Sequence, residues 1–194
     1  MELIFATNNP HKSREIQALV PEKITILSLK DINFQGEIPE NQSTLEGNAR
    51  EKAFYIYERY RNNCFADDTG LEIDALNGEP GVYSARYAGA DKDPQANMDK
   101  VLRELEGIPD RRARFRCVIS LIIDGEEKQF EGVVNGQILQ EKRGSEGFGY
   151  DPIFLPAGYD KTFAEMPLEL KNKISHRSQA INKLADYLSH YMNR

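Results

Sequence analysis

Positive charge is the scarcer sign in this chain: 25 Lys and Arg stand against 31 Asp and Glu, a net of −6. That balance excludes a general nucleic-acid or membrane-surface binder. A site for a polyanion must therefore be a local basic cluster within an acidic protein. Cysteine is also sparse. Cys64 and Cys117 lie far apart, each inside an apolar run, and read as reduced core residues rather than a disulfide or a zinc site. The three histidines, His11, His176 and His190, form no HxxxH or HExxH pair, which argues against a zinc hydrolase. Residues 1–6 lack a basic start and are too short for a signal segment. No stretch approaches the length of a membrane span, so a cytoplasmic protein is expected. The phosphate loop GxxxxGKS is absent, as are internal repeats, low-complexity tracts and an obvious linker.

What is there is ordinary globular composition, 40% hydrophobic and 29% charged. The 194 residues suit a single domain, 1–194, with enough chain to bury a core. Residues 3–6 read as a buried first strand, followed by a helix opening at Pro10. A second strand is expected over 24–29, a polar loop over 31–42, and a long helix over 43–61. Ser43 and Glu46 have the spacing of a capping box at its start. A short apolar run that ends in Asp67-Asp68, and a second over 71–76, precede breaks at Gly78, Pro80 and Gly81. Residues 93–106 look helical. Two β-rich runs, 113–123 and 129–139, are joined by Asp124-Gly125, a hairpin signal. A glycine-rich loop over 144–151 and a helix over 175–191 complete the chain. Early alternation of strands and helices with a later hairpin points to a mixed α/β sheet.

The most informative tract is Phe65-Ala66-Asp67-Asp68-Thr69-Gly70-Leu71. Successive side chains on a strand point to opposite faces, so only one of the paired carboxylates can enter a given site if the strand continues. Hard oxygen ligands there suit Mg²⁺, which takes one or two carboxylates plus water and substrate phosphates. A strand-to-turn junction explains the same residues, and both readings are open at this point.

Four further groups bear on chemistry. Thr7-Asn8-Asn9-Pro10-His11-Lys12 follows a strand and opens a helix, where backbone N–H groups and the dipole favour an anion; a plain Asn cap with a surface lysine is the alternative. Lys52 lies beside the apolar stripe of its helix and must snorkel or find an anion. Glu40, in the preceding loop, is a second candidate metal carboxylate. In Gly147-Phe148-Gly149-Tyr150-Asp151-Pro152, the glycines allow close approach of a flat ligand. Phe148 can stack there, Tyr150 reads more simply as core, and Asp151 is expected to be extended before proline. Ser175-His176-Arg177 puts cations in a first helical turn, against the macrodipole, a cost that an electronegative partner would offset. Lys171 adds a charge nearby. Together these groups match the charge of a nucleoside triphosphate with one Mg²⁺, balanced by Lys12, Lys52 and Lys171.

The motifs, including Asn48-Ala49 with Lys52, residues 66–71, residues 80–87, residues 147–152, Lys161-Thr162-Phe163-Ala164-Glu165 and Ser175-His176-Arg177, resemble the inosine triphosphate pyrophosphatase family nearly end to end. The resemblance implies hydrolysis of ITP, dITP or XTP to the monophosphate and pyrophosphate with Mg²⁺. It implies Asp68 as general base and Glu40 with Asp68 as metal carboxylates. Thr7, Asn8, Asn9, Lys12, Lys52, Thr69 and Lys171 would serve the phosphates, and Phe148, Gly149, Tyr150, Asp151, His176 and Arg177 the base. It further implies an elongated mixed β-sheet flanked by helices, two lobes with the active site in the cleft between them, and a homodimer. Asp67 is left to support the site, from its opposite face or from behind the groups that meet the substrate. His176 or Arg177 is the expected donor to the purine 6-oxo group.

Two departures stand out. Asn8 replaces a glycine common in the first motif, which asparagine tolerates. Gly47 stands where glutamate is frequent and weakens the helix start. The competing readings are the same chemistry on another modified nucleotide and a nucleotide-binding module without turnover; Asp68, a carboxylate that a passive anion binder has no reason to place near phosphates, argues against the second.

Overall fold

The computed structural model of the protein describes residues 1–17, 19–20 and 22–193; the His11 side chain lies outside the described ones. Its strands are β1 (Glu2–Phe5), β2 (Thr25–Leu27), β3 (Cys64–Ile73), β4 (Arg112–Ile123), β5 (Glu126–Ile138) and β6 (Phe154–Pro156). They form a mixed sheet in the order β2-β1-β3-β4-β5-β6. β1 runs parallel to both β2 and β3, and β5 pairs antiparallel with β6. The helices are α1 (Pro10–Gln17), α2 (Leu45–Tyr60), α3 (Pro94–Glu104), α4 (Leu168–Ile174) and α5 (His176–Met192).

The chain divides into two compact units: Met1–Asp68, Cys117–Gly132 and Arg177–Arg194 in the first, Thr69–Arg116 and Val133–His176 in the second. In the first unit, strand alternation sorts the core into two layers. Leu3, Phe5, Phe65, Ile119 and Leu121 pack with Ile16 of α1 and Ile181, Leu184 and Leu188 of α5. Ile4, Ala6, Cys64, Ala66 and Ile122 pack with Ala53 and Ile56 of α2. The period of two thus sends odd-numbered residues of β1 and β3 to the α1–α5 layer and even-numbered ones to the α2 layer. In the second unit, Leu71, Ile73, Met98, Val101, Phe115, Phe154 and Phe163 build a separate core.

Several expectations need correction. The tract around Asp67 and Asp68 is no strand-to-turn junction: β3 runs unbroken for ten residues, because apolar side chains on both sides of the carboxylates hold it against two cores. α2 begins one residue later than the capping-box spacing suggested. Thr44, not Ser43, is its N-cap, its Oγ1 accepting the Gly47 N–H at 3.0 Å, which leaves Glu46 outside any capping box. Asp151 opens a single 3-10 turn, Asp151–Ile153, instead of an extended stretch. Its side chain accepts the Phe148 N–H at 2.9 Å and so folds the chain back on itself. α4 had no counterpart in the sequence reading, being only seven residues long. The hairpin signal at Asp124-Gly125 joins neighbouring β4 and β5, both residues with positive φ (50° and 84°), as a primed turn requires. Cys64 and Cys117 are buried thiols not joined in a disulfide.

Candidate active site

In the first unit, alternation along β3 sends the two adjacent carboxylates to different layers. Asp68 follows Cys64 and Ala66 toward α2. There its Oδ1 accepts Lys52 Nζ at 3.0 Å and its Oδ2 accepts Asn48 Nδ2 at 3.1 Å. Asn48 and Lys52 are four residues apart, one turn of the same helix face, so α2 delivers both donors to one carboxylate. Lys52 Nζ also donates to Glu40 Oε1 at 2.5 Å. The lysine that had to snorkel or find an anion has found two, and its side chain is only 6% exposed. Burial opposes its charge, but Asp68 and then Glu40 outweigh it, and the ammonium pKa rises. At Asp68 burial is the larger influence and pushes the carboxyl up; Lys52 and Lys12 pull it down without cancelling the rise.

Asp67 follows Phe65 into the opposite layer. Its Oδ2 meets Lys12 Nζ of α1 at 2.8 Å and Arg177 Nε of α5 at 3.7 Å, with the carboxylate side chain fully buried. Burial alone would raise its pKa, yet Lys12, Arg177 and Lys52 together drive it well below the usual carboxylate range. Two neighbouring aspartates are therefore pushed in opposite directions, because one has two close cations in its own layer and the other shares a single lysine with a second carboxylate. Asp67 is also the electronegative partner that the first turn of α5 called for, holding Arg177 where the macrodipole disfavours a cation.

The start of α1 is stapled locally. Thr7 Oγ1 accepts the Asn9 N–H at 3.1 Å and Asn9 Oδ1 accepts the Lys12 N–H at 3.4 Å, while Asn8 is exposed. The Thr7 and Asn9 oxygens thus serve as capping acceptors.

The second unit carries its own polar cluster. Lys171 Nζ donates to Asp151 Oδ2 at 2.8 Å, both side chains being about 5% exposed or less, and lies 4.9 Å from the centre of the Phe148 ring. Gly147 sits at φ +74°, and a Cβ there would fall 2.1 Å from Asp151 Oδ2; only glycine lets the loop close over this carboxylate. His176 is buried and stacks on Phe115 at 4.7 Å with an 11° interplanar angle, with Phe163 tilted beyond. Tyr150 is core, its hydroxyl donating to the Ser84 carbonyl at 2.7 Å. Gly149 has φ +63°, and Thr69 is half-buried.

The Ham1 family model matches residues 3–187, spanning both units. The chain belongs to the Ham1 family. It is 55% identical over 189 residues to a protein of Flavobacterium johnsoniae named dITP/XTP pyrophosphatase, an alignment covering 97% of this chain and 98% of that one. A Bacillus subtilis protein of the same name is 50% identical over 191 residues, with 96% of each chain covered. Among solved structures, the Ham1 protein of Staphylococcus aureus superimposes with a TM-score of 0.91 at 42% identity, covering 98% of this chain and all of that one. A nucleoside-triphosphatase / dITP/XTP pyrophosphatase of Mycobacterium abscessus gives a TM-score of 0.79 at 39% identity, with 95% and 98% covered.

Within this Ham1 chain, the structure gathers Glu40, Lys52 and Asp68 into one cluster, Lys12, Asp67 and Arg177 into a second, and Phe148, Asp151 and Lys171 into a third. Lys171, grouped with the phosphate lysines in the sequence analysis, pairs with Asp151 in this structure. Two contributors and one pairing escaped that reading. Asn48 was only part of a motif, although its position one turn before Lys52 was a usable signal. Phe115, against which His176 stacks, is distant in sequence and gave no signal. Lys12 and Arg177 were both read toward ligand, and their shared partner Asp67 could not be seen without the fold.

Proposed function

We infer that the protein hydrolyses nonstandard purine nucleoside triphosphates, dITP and XTP among them, to the monophosphate and pyrophosphate. The observation that carries this reading is Asp68, a buried carboxylate oriented at both oxygens by Lys52 and Asn48 and biased upward in pKa. That is the combination a general base needs. The names of the relatives over nearly the full length supply the substrate class.

The donor set fits Mg²⁺. Glu40 Oε1 and Asp68 Oδ1 already converge on one cation, the Lys52 ammonium, and the Glu40 side chain is 34% exposed. Among the described residues no group of three or more His, Cys, Asp or Glu side chains is spaced to hold a metal. Substrate phosphates and water would complete the shell, which is the usual way Mg²⁺ binds. Glu40 and Asp68 would hold the ion, and when bound it supplies neutralisation of the charge on the phosphates. Asp68 takes a proton from water as the water oxygen bonds to the α-phosphorus. The bond from that phosphorus to the α–β bridging oxygen breaks, and pyrophosphate leaves. Lys52 and Lys12, with the N–H groups at the start of α1, balance the polyanion. Phe148 is proposed to stack on the base and His176 to donate to its 6-oxo group, while Asp151 fixes the Phe148 backbone and Lys171. Adenine would leave that donor unpaired.

Pyrophosphate release from ITP, dITP, XTP, GTP, ATP and dUTP tests the reading. Release from dITP and XTP is expected to exceed that from ATP by at least about 10²-fold in kcat/KM. Equal rates on ATP and ITP would remove the selectivity. Orthophosphate as the first product would move the attack to the γ-phosphorus.

A cytoplasmic homodimer completes the proposal. Among the described residues no helix is long and apolar enough to cross a membrane. Light scattering is expected to give twice the 22.1 kDa chain mass.

A further inference from the structure

We propose that Glu51, with the space left by Gly47, is a positioning residue that clamps the loop carrying Glu40 onto α2 and so sets the separation of the two metal carboxylates. The inference rests on the reading of Glu40 and Asp68 as that pair. Glu40 reaches Lys52 from a segment with no regular structure, so something must hold that segment in place. Three contacts do so immediately after Glu40. The Asn41 N–H donates to Glu51 Oε2 at 2.7 Å, the Gln42 N–H donates to Asn48 Oδ1 at 2.9 Å, and the Asn41 and Gln42 side-chain amides both reach Glu51 Oε1 at 3.4 Å. Glu51 is thus the acceptor for one backbone and two side-chain donors, one residue before Lys52.

Gly47 makes the approach possible. A Cβ at position 47 would fall 2.7 Å from Gln42 Cβ and 3.0 Å from Thr44 Oγ1, so any side chain there must push Gln42 off the helix. The glycine that weakens the helix start is what lets the loop lie down on it. Asn48 closes the arrangement: its Oδ1 holds the Glu40 loop while its Nδ2 holds Asp68. Glu51 and Gly47 touch none of the reacting groups. Their effect is expected on metal affinity, as with other outer partners of metal ligands.

Mn²⁺ serves as the probe, with binding to the substrate-free protein read by electron paramagnetic resonance. Glu51→Ala and Gly47→Ala are each expected to weaken Mn²⁺ binding by about 10-fold. In the same variants kcat at saturating metal should stay within about twofold of wild type, and the metal-free melting temperature should be nearly unchanged for Glu51→Ala. Wild-type Mn²⁺ affinity in both variants would overturn the clamp, as would a loss confined to kcat at saturating metal. A wild-type protein that binds no Mn²⁺ would instead overturn the reading of Glu40 and Asp68 as metal carboxylates.

Discussion

Replacing Asp68 by Asn is expected to lower kcat by at least about 10²-fold while the protein stays folded. The variant keeps the shape of the side chain and removes the proton acceptor. It also changes the local hydrogen bonding in a definable way. Asp68 accepts at both oxygens, whereas an Asn must present its NH₂ to either Lys52 or Asn48, both of which are donors. Asn48 cannot simply turn over, because its Oδ1 is held by the Gln42 N–H. One donor therefore loses its acceptor, at a cost of about 1–3 kcal/mol in stability. Removing a buried negative charge offsets part of that cost. The informative comparison is of turnover with melting temperature: a loss of rate far larger than any shift in the folded fraction assigns Asp68 to chemistry. Near-normal turnover would remove Asp68 from the mechanism.

The second large effect belongs to Asp67 and concerns stability. Asp67→Asn leaves Lys12 and Arg177 without their buried counter-charge, and the expected loss at pH 7 is about 3 kcal/mol. Lys12, whose side chain is 14% exposed, can turn toward water; Arg177, at 3%, cannot. The pH dependence follows from the direction of the Asp67 shift. Its folded-state pKa is depressed, so as pH falls the unfolded chain binds this proton first, near a pKa of about 3.9. The stability due to Asp67 is fully present above that value and is lost progressively below it. The gap between wild type and Asp67→Asn in denaturant melts is thus expected to narrow by about 1 kcal/mol between pH 5 and pH 3. A gap that stays constant over that range would show that the Asp67 charge does not hold the two cations. Asp68 has the opposite sign: its raised pKa means that the folded state takes up its proton first, relieving a cost as pH falls. Since both proteins contain Asp68, its influence cancels in the comparison.

Asp67 and Asp68, adjacent in sequence, thus sit in two different charge environments. The period of two along a strand required Asp67 and Asp68 to face apart, and it did so without knowledge of what lay on either side. Helix spacing also put Lys52 beside an apolar stripe, where it needed an anion, and it meets Glu40 and Asp68; the turn residues Asp124-Gly125 marked their hairpin correctly. The tract at the carboxylates reads equally as strand or as turn, because Thr69 and Gly70 resemble a turn; β3 continues because Leu71 and Ile73 have a core waiting in the second unit. Asp151 was drawn extended before proline, although its own carboxylate captures the Phe148 N–H and tightens the turn.

By itself the amino-acid sequence determined the alternation that separates the two aspartates, the helix face that unites Asn48 with Lys52, and the family. It did not determine which helix covers which face of the sheet. That choice gave Asp67 the cations of α1 and α5 and gave Asp68 the lysine and amide of α2, and with them opposite pKa shifts. The physical reason is one of range. Backbone geometry and turn chemistry act over a few residues and can be read locally. The charge environment of a buried carboxylate depends on side chains that approach within 3–4 Å from segments 16 to 110 residues away, Lys52 for Asp68 and Arg177 for Asp67, and only packing brings them there.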